Sequence, residues 1–254
     1  MLTKIKAICK KPLLWELVAI SGLLVFAVIA LIVTSQKTVR DPKATDPTSA
    51  PTAEAIPTVQ GIDVSEHQES IDWQQVKDSG MEFVMIRVGW RGYTTGELFP
   101  DSLAQTHYAG AKAAGLKVGA YFFSQATTPE QGAEEAAYLL EQTKDWEIDM
   151  YLAINWEFVG DEYPSAAVDA RGLTDITKAF CQTVRQAGKE PMVYFDAYLA
   201  SSRLYIEELT DYPFWLAQYA EEKEFSHPVK MWQYTCTGVV PGIDEDVDIN
   251  QYYP

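Results

Sequence analysis

Histidine and cysteine are scarce in this chain, with three of each in 254 residues. They are too few and too scattered to build a zinc cluster or a disulfide framework. Positive charge is short as well: 20 Lys and Arg face 36 Asp and Glu, a formal net charge of −16. A general nucleic-acid binder needs a basic face to neutralise phosphates, so the balance argues against that class. A glycine-rich phosphate loop is also missing, which removes the main signature of an open doubly wound sheet. What is present is ordinary globular material, 47% hydrophobic and 22% charged, so wholesale disorder is excluded. Aromatics are plentiful, with 7 Trp, 14 Tyr and 10 Phe, enough for a large core or a ring-binding surface.

The charge is uneven along the chain. Residues 1–40 carry Lys4, Lys6, Lys10, Lys11, Lys37 and Arg40 against Glu16, whereas residues 61–254 hold 13 basic and 32 acidic residues. Between the early lysines and Lys37 lies an apolar run over 17–33, interrupted by Ser21 and Gly22. At about 1.5 Å per residue it covers roughly 25 Å, and Leu13, Leu14 and Trp15 lengthen it. This predicts an uncleaved signal anchor over 13–35 that embeds the chain in a lipid bilayer. A cleaved signal peptide is the competing reading, disfavoured by the length of the run. Four preceding lysines place residues 1–12 in the cytoplasm and the rest outside the cell, as a single-pass protein of the cell membrane. Pro42, Pro47, Pro51 and Pro57 mark 36–60 as an extended tether, leaving 61–254 as the folded domain, expected to be monomeric. Cys9 reads as a juxtamembrane spectator thiol with palmitoylation as the alternative, and Cys181 and Cys236 as buried free thiols rather than a pair.

Short β-branched or aromatic runs recur at 61–65, 83–89, 118–123, 151–157, 191–195, 214–219, 230–235 and 247–252. Helical patterns separate the first five and then follow: 71–79 ending at Gly80, 102–114 ending at Gly115, 129–144 opening on Thr128 and Pro129, 173–187 ending at Gly188, and 199–209. Strand–helix alternation predicts parallel strands joined by crossovers. The last three strands have connections too short for a full helix. The fold class is therefore α/β, a (β/α) barrel of eight strands with about five helices and an incomplete helical coat, preceded by one transmembrane helix.

In such a barrel the active groups belong at the C-terminal ends of the strands. Asp63, Glu157, Asp196, Gln218, Gln233 and Asp248 fall at or near the ends of predicted strands. Asn155 and Glu157 are two apart on one strand and share a face, with Trp156 behind them. A Glu beside an amide and aromatic neighbours gains a raised pKa, which suits a proton donor. By itself a polar-x-acid strand end is more often structural.

Several ordered segments carry a resemblance. Gly61-Ile62-Asp63-Val64-Ser65-Glu66-His67-Gln68 with Ile71-Asp72-Trp73, then Phe83-Val84-Met85-Ile86-Arg87, Gly115-Leu116-Lys117-Val118-Gly119-Ala120-Tyr121, Phe214-Trp215-Leu216-Ala217-Gln218-Tyr219, Met231-Trp232-Gln233-Tyr234 and Val247-Asp248-Ile249-Asn250 resemble glycoside hydrolase family 25, the muramidase lysozymes. The resemblance covers essentially all of 61–254. It implies a distorted barrel and cleavage of the β-1,4 bond between N-acetylmuramic acid and N-acetylglucosamine, with peptidoglycan glycan strands as partner and no metal or organic cofactor. It implies Glu157 as general acid/base, with Asn155, Asp63 and Asp248 completing the catalytic set. Arg87, Tyr121, Tyr194, Asp196, Trp215, Gln218, Trp232 and Gln233 stand at substrate-lining or supporting positions. Asp63 paired with Arg87, Asp196 as a helix cap, and Trp215 and Trp232 as packing are the competing readings, and His67 reads as a structural histidine rather than a catalytic base.

Asn155 departs from the family pattern, which is Asp-x-Glu. In substrate-assisted hydrolysis the Asp orients the sugar's 2-acetamido group and stabilises the charge that develops on it. Electrostatic contributions of this kind are worth about 2.7–4 kcal/mol. Three readings stay open: an enzyme that works with Asn155, a weak or inactive wall-binding homologue, or a substitution introduced to trap substrate.

Overall fold

The computed structural model describes residues 58–254. The expected cytoplasmic segment, the membrane span over 13–35 and the tether as far as residue 57 lie outside the described residues. Among the described residues no helix is long and apolar enough to cross a membrane.

Nine strands occur among the described residues: β1 (Val59–Val64), β2 (Phe83–Arg91), β3 (Leu98–Pro100), β4 (Lys117–Ser124), β5 (Leu152–Trp156), β6 (Pro191–Asp196), β7 (Phe214–Ala217), β8 (Met231–Gly238) and β9 (Val247–Tyr252). Eight close into a barrel in the order β1-β9-β8-β7-β6-β5-β4-β2, with β2 returning to β1. The sequence pattern does not predict β3, which pairs antiparallel with β2 outside the ring and props the loop between them. Neighbours from β1 through β2, β4, β5, β6, β7 and β8 run parallel. β9 instead runs antiparallel to both β8 and β1. That reversal matters for the site, because the start of β9 lies at the mouth where the other strands end.

Five helices coat part of the ring: α1 (Trp73–Asp78), α2 (Ala104–Ala113), α3 (Pro129–Gln142), α4 (Ala170–Gln186) and α5 (Ala197–Ser202). Their starts follow local chemistry. Asp72, Thr128, Asp169 and Asp196 each accept a hydrogen bond from the backbone N–H three residues on, which satisfies a donor the helix leaves open. Gly115 and Gly188 follow the ends of α2 and α4 with φ of +77° and +73°, a backbone that side chains with a Cβ resist. The helix expected over 199–209 is broken: α5 stops at Ser202 and a separate 3-10 turn spans Ile206–Glu208.

The core has two layers. Phe83, Met85, Tyr121, Ala153, Met192, Tyr194, Trp215, Ala217 and Met231 fill the barrel interior. The alternate residues, such as Val84, Ile86, Phe122, Ile154, Leu216 and Trp232, pack between the barrel and its outer coat. This is the period-2 consequence of strand geometry. Cys181 is buried and free, whereas Cys236 is half-buried and has an interaction of its own, so two buried free thiols are not what the fold contains.

Candidate active site

The interior rows end at the mouth in polar groups. Asp63 closes the row of β1, Asn155 that of β5, and Gln233 continues that of β8. Asn250 lies one step into β9 from Asp248. All but Asp248 are nearly inaccessible, at 6%, 5%, 2% and 0% exposure for Asp63, Asn155, Gln233 and Asn250.

A chain of hydrogen bonds converges on Asp63. Trp215 Nε1 donates to Asn250 Oδ1 at 2.7 Å, and Asn250 Nδ2 donates to Asp63 Oδ1 at 2.6 Å. From the other side the hydroxyls of Tyr219 and Tyr194 donate to Gln233 Oε1 at 2.9 and 3.3 Å, and Gln233 Nε2 donates to Asp63 Oδ1 at 2.9 Å. The indole and phenol donors fix both amides, so each presents its NH₂ to the carboxylate. Asp63 also lies opposite Asp248 in the β1–β9 register and is hydrogen-bonded to it. Burial, followed by the negative charge of Asp63, pushes Asp248 up to about 9. Burial raises Asp63 too, but the amides of Asn250 and Gln233 oppose it. Asp63 is thus the charged member of the pair and Asp248 the protonated one.

Glu157 follows the last residue of β5 and is half-buried. Its Oε1 accepts from Asn155 Nδ2 at 3.3 Å, and its backbone carbonyl accepts from Gln125 Nε2 at 2.8 Å. Burial raises its pKa; Asn155 and Tyr194 pull it down, and the charges of Asp196 and Asp63 push it further up. A carboxyl held in this way keeps its proton closer to neutrality, as a general acid must. Trp156 lies behind, 3% exposed, with its Nε1 donating to the Ala126 carbonyl. Asn155 Oδ1 is buried with no hydrogen-bond partner. An unpaired buried acceptor is costly, and this one lies beside the Glu157 carboxyl.

The other sequence candidates separate into those in the mouth and those outside it. Tyr121 and Tyr194 set their rings edge-on to Trp215 at 5.8 and 5.1 Å, forming a floor under the carboxylates. Asp196 caps α5 through Leu199, and its charge reaches Glu157. Arg87 pairs with Asp101 at 2.9 Å and Glu66 at 3.4 Å, which accounts for its charge without Asp63. Trp215 is 0% exposed and supports Asn250 from below, so it has no surface to offer a ligand. Trp232 faces the outer layer and donates to the Gln218 carbonyl at 2.8 Å. The Gln218 side chain turns away to accept the Glu224 N–H at 2.7 Å. Sequence reasoning missed Tyr219 and Asn250. Both were readable from alternation: 215, 217 and 219 share one face, as do 248 and 250.

A flanking aromatic group was also missed. Tyr93, on the β2–β3 loop, lies 6.1 Å from Phe123 and 5.3 Å from Tyr163 between ring centres. Among the described residues no group of three or more His, Cys, Asp and Glu is arranged to hold a metal ion.

Comparison with known proteins supplies independent findings. Residues 62–243 match the model of the glycosyl hydrolases family 25. The chain is 29% identical over 203 residues to the uncharacterised protein YegX of Escherichia coli, covering 77% of this chain and 70% of that one. It is 29% identical over 210 residues to lysozyme M1 of Streptomyces globisporus, covering 76% and 67%. The modular autolysin LytC of Streptococcus pneumoniae, solved in complex with a synthetic peptidoglycan ligand, superposes with a TM-score of 0.67 at 26% identity. That match covers 77% of this chain and 47% of LytC, so the chain spans just under half of the autolysin's length.

Proposed function

Because the chain belongs to the glycosyl hydrolases family 25, we propose that it is a muramidase cleaving the β-1,4 bond between N-acetylmuramic acid and N-acetylglucosamine in peptidoglycan. The lysozymes among its relatives support the substrate class. The observation that carries the mechanism is the unpartnered Asn155 Oδ1 beside the Glu157 carboxyl. In the proposed reaction Asn155 Oδ1 accepts the N–H of the sugar's 2-acetamido group. The acetamido oxygen attacks the anomeric carbon while Glu157 gives its proton to the departing glycosidic oxygen. Glu157, now a carboxylate, takes a proton from the water that opens the oxazolinium ring. Asp63 faces the developing positive charge, and Asp248 holds the proton that keeps the carboxyl pair from repelling itself.

The test is release of reducing ends from purified peptidoglycan by the protein and by its Glu157→Gln variant. The wild type is expected to be active and the variant silent; equal activity in both overturns the assignment of Glu157. A second reading is favoured by one observation: Asn155 cannot carry the charge that the family's Asp supplies. On that reading the protein binds wall glycans with little turnover, and the wild type binds glycan but releases no reducing ends.

The proposed setting is the outer face of the cell membrane. The apolar run over 17–33 and the lysines before it support this. A Pro-rich tether of about 20 residues would reach on the order of 25 Å, a span suited to wall close to the protein's own membrane.

A further inference from the structure

An arginine outside the catalytic set is held by the segments that leave the mouth after β5 and β6. The strands β5 and β6 are neighbours, and the segments that leave their C-terminal ends meet at Arg203. Its guanidinium lies 5.4 Å over the ring of Phe158, the residue after Glu157. Its Nη1 donates to the carbonyls of Ala166 at 3.2 Å and Val168 at 2.9 Å, in the segment between β5 and α4. It is also hydrogen-bonded to the Tyr198 hydroxyl, on α5 just past Asp196. Phe158 and Tyr198 are 38% and 54% exposed, so this corner is open to solvent.

The charge at this corner is unanswered. Arg87, Arg91 and Arg171 each pair with two carboxylates. Arg203 makes no ion pair among the described residues; its fixed contacts are backbone carbonyls, a ring face and a phenol. Those contacts hold the fork rigid without neutralising it. Elsewhere the domain is strongly acidic, with 32 acidic and 13 basic residues over 61–254. A pre-organised, uncompensated guanidinium at the rim of an acidic mouth is suited to a carboxylate on the ligand.

We propose that Arg203, framed by Phe158 and Tyr198, is a recognition site for a carboxylate carried by the glycan, supplied either by a peptide stem or by the lactyl group left when the stem is absent. This inference rests on the muramidase reading and deepens it. It also accounts for how so acidic a domain engages a polyanionic wall: the attraction is local, at the mouth, against a repelling surface.

The experiment measures binding of three oligosaccharides of equal length to the full-length protein by calorimetry, in a Glu157→Gln background so that none is consumed. The first is a neutral N-acetylglucosamine oligomer, the second a peptidoglycan oligomer bearing stems, and the third the same oligomer with stems removed and lactyl carboxylates free. At least one carboxylate-bearing ligand is expected to bind about tenfold more tightly than the neutral one, and which arm gains identifies the source. Arg203→Gln is expected to erase that gain and leave the neutral oligomer's affinity unchanged, which also checks folding. A gain that survives Arg203→Gln, or an equal loss on all three ligands, overturns the inference and makes Arg203 a prop for the Ala166–Val168 carbonyls. If all three bind alike before and after the substitution, the recognition site falls while the glycan reading stands. If none binds, the glycan reading falls with it.

Discussion

Asp63 and Asp248 face each other across the antiparallel β1–β9 pair and share one proton. The two residues come from opposite ends of the domain, and only closure of the first strand onto the last brings them together. Two amide donors hold Asp63 as the anion, while burial and that anion hold Asp248 as the acid.

The pair predicts a pH-dependent stability. The Asp248 carboxyl titrates near 3.8 when unfolded and at about 9 when folded. Between those values the folded state holds a proton that the unfolded chain does not, so stability falls as pH rises. The contribution is complete below about pH 4 and lost as pH passes about 9. In Asp248→Asn the amide takes the place of the protonated acid. Its melting temperature is expected to decline less between pH 5 and 9 than that of the wild type, with the difference largest at the alkaline end. Parallel melting curves for the two proteins remove the idea of a shared proton.

Asn155 predicts a split between its two natural replacements. Asn155→Ala removes both the acceptor proposed for the substrate acetamido group and the donor to Glu157 at 3.3 Å. Loss of an oriented electrostatic contact is worth about 10²–10³ in rate, and kcat is expected to fall by that much. Asn155→Asp restores an acceptor and adds a negative charge beside Glu157. Such a charge raises the Glu157 pKa, so the alkaline limb of the kcat/KM profile is expected to move to higher pH. With the wild type active, kcat at the optimum should change by less than about tenfold. A gain of a hundredfold or more instead favours the wall-binding reading.

Sequence alternation carried most of this architecture. The eight barrel strands and the ends of α1, α2 and α4 follow from period-2 runs and from glycines where the chain must turn. The three-residue β3 was invisible because Leu98–Pro100 is too short to show a period. The direction of β9 was invisible because hydrophobic periodicity is the same in both senses. Within the site the errors are ones of parity. Trp232 and Gln233 are adjacent on β8 and cannot both face inward, and Tyr219, not Gln218, continues the inward row of Trp215 and Ala217. Strand geometry decides both cases without reference to relatives. The proton between Asp63 and Asp248 needed three dimensions, since it depends on the closed ring.

Trp215 supports the site from beneath, so its substitution should affect stability and pH behaviour rather than substrate contact. Trp215→Phe preserves the ring that Tyr121 and Tyr194 pack against but removes the donor to Asn250 Oδ1. Leaving that buried acceptor unpaired costs about 1–3 kcal/mol, measurable by denaturant unfolding. The Asn250 amide is also released to rotate, which weakens its hold on the Asp63 anion. A shift in the pH profile of kcat/KM with little change in KM is the expected kinetic signature. A raised KM with an unmoved profile places Trp215 in substrate binding instead.

A second buried carboxyl lies behind the mouth. Glu135 on α3 is 0% exposed and accepts from Arg91 Nε at 2.7 Å, while Arg91 also donates to the Gly96 carbonyl at 2.6 Å and to Glu134 at 2.7 Å. Arg91 thereby ties α3 to the β2–β3 loop that carries Tyr93. Burial, only partly offset by Ser124 and Arg91, pushes Glu135 up to about 7 from 4.5. The stability that comes from its bound proton is full below about pH 4.5 and lost as pH rises through about 7. Glu135→Gln is expected to flatten this part of the stability profile, and Arg91→Met to destabilise the fold by up to about 3–5 kcal/mol above about pH 7, where an ionised, buried Glu135 would be left without its partner. The double variant should recover part of that loss, since the stranded charge is gone. If the two losses simply add, Arg91 and Glu135 are not coupled, and Arg91 ties the loop bearing Tyr93 to α3 through Gly96, Glu134 and the Gln131 carbonyl.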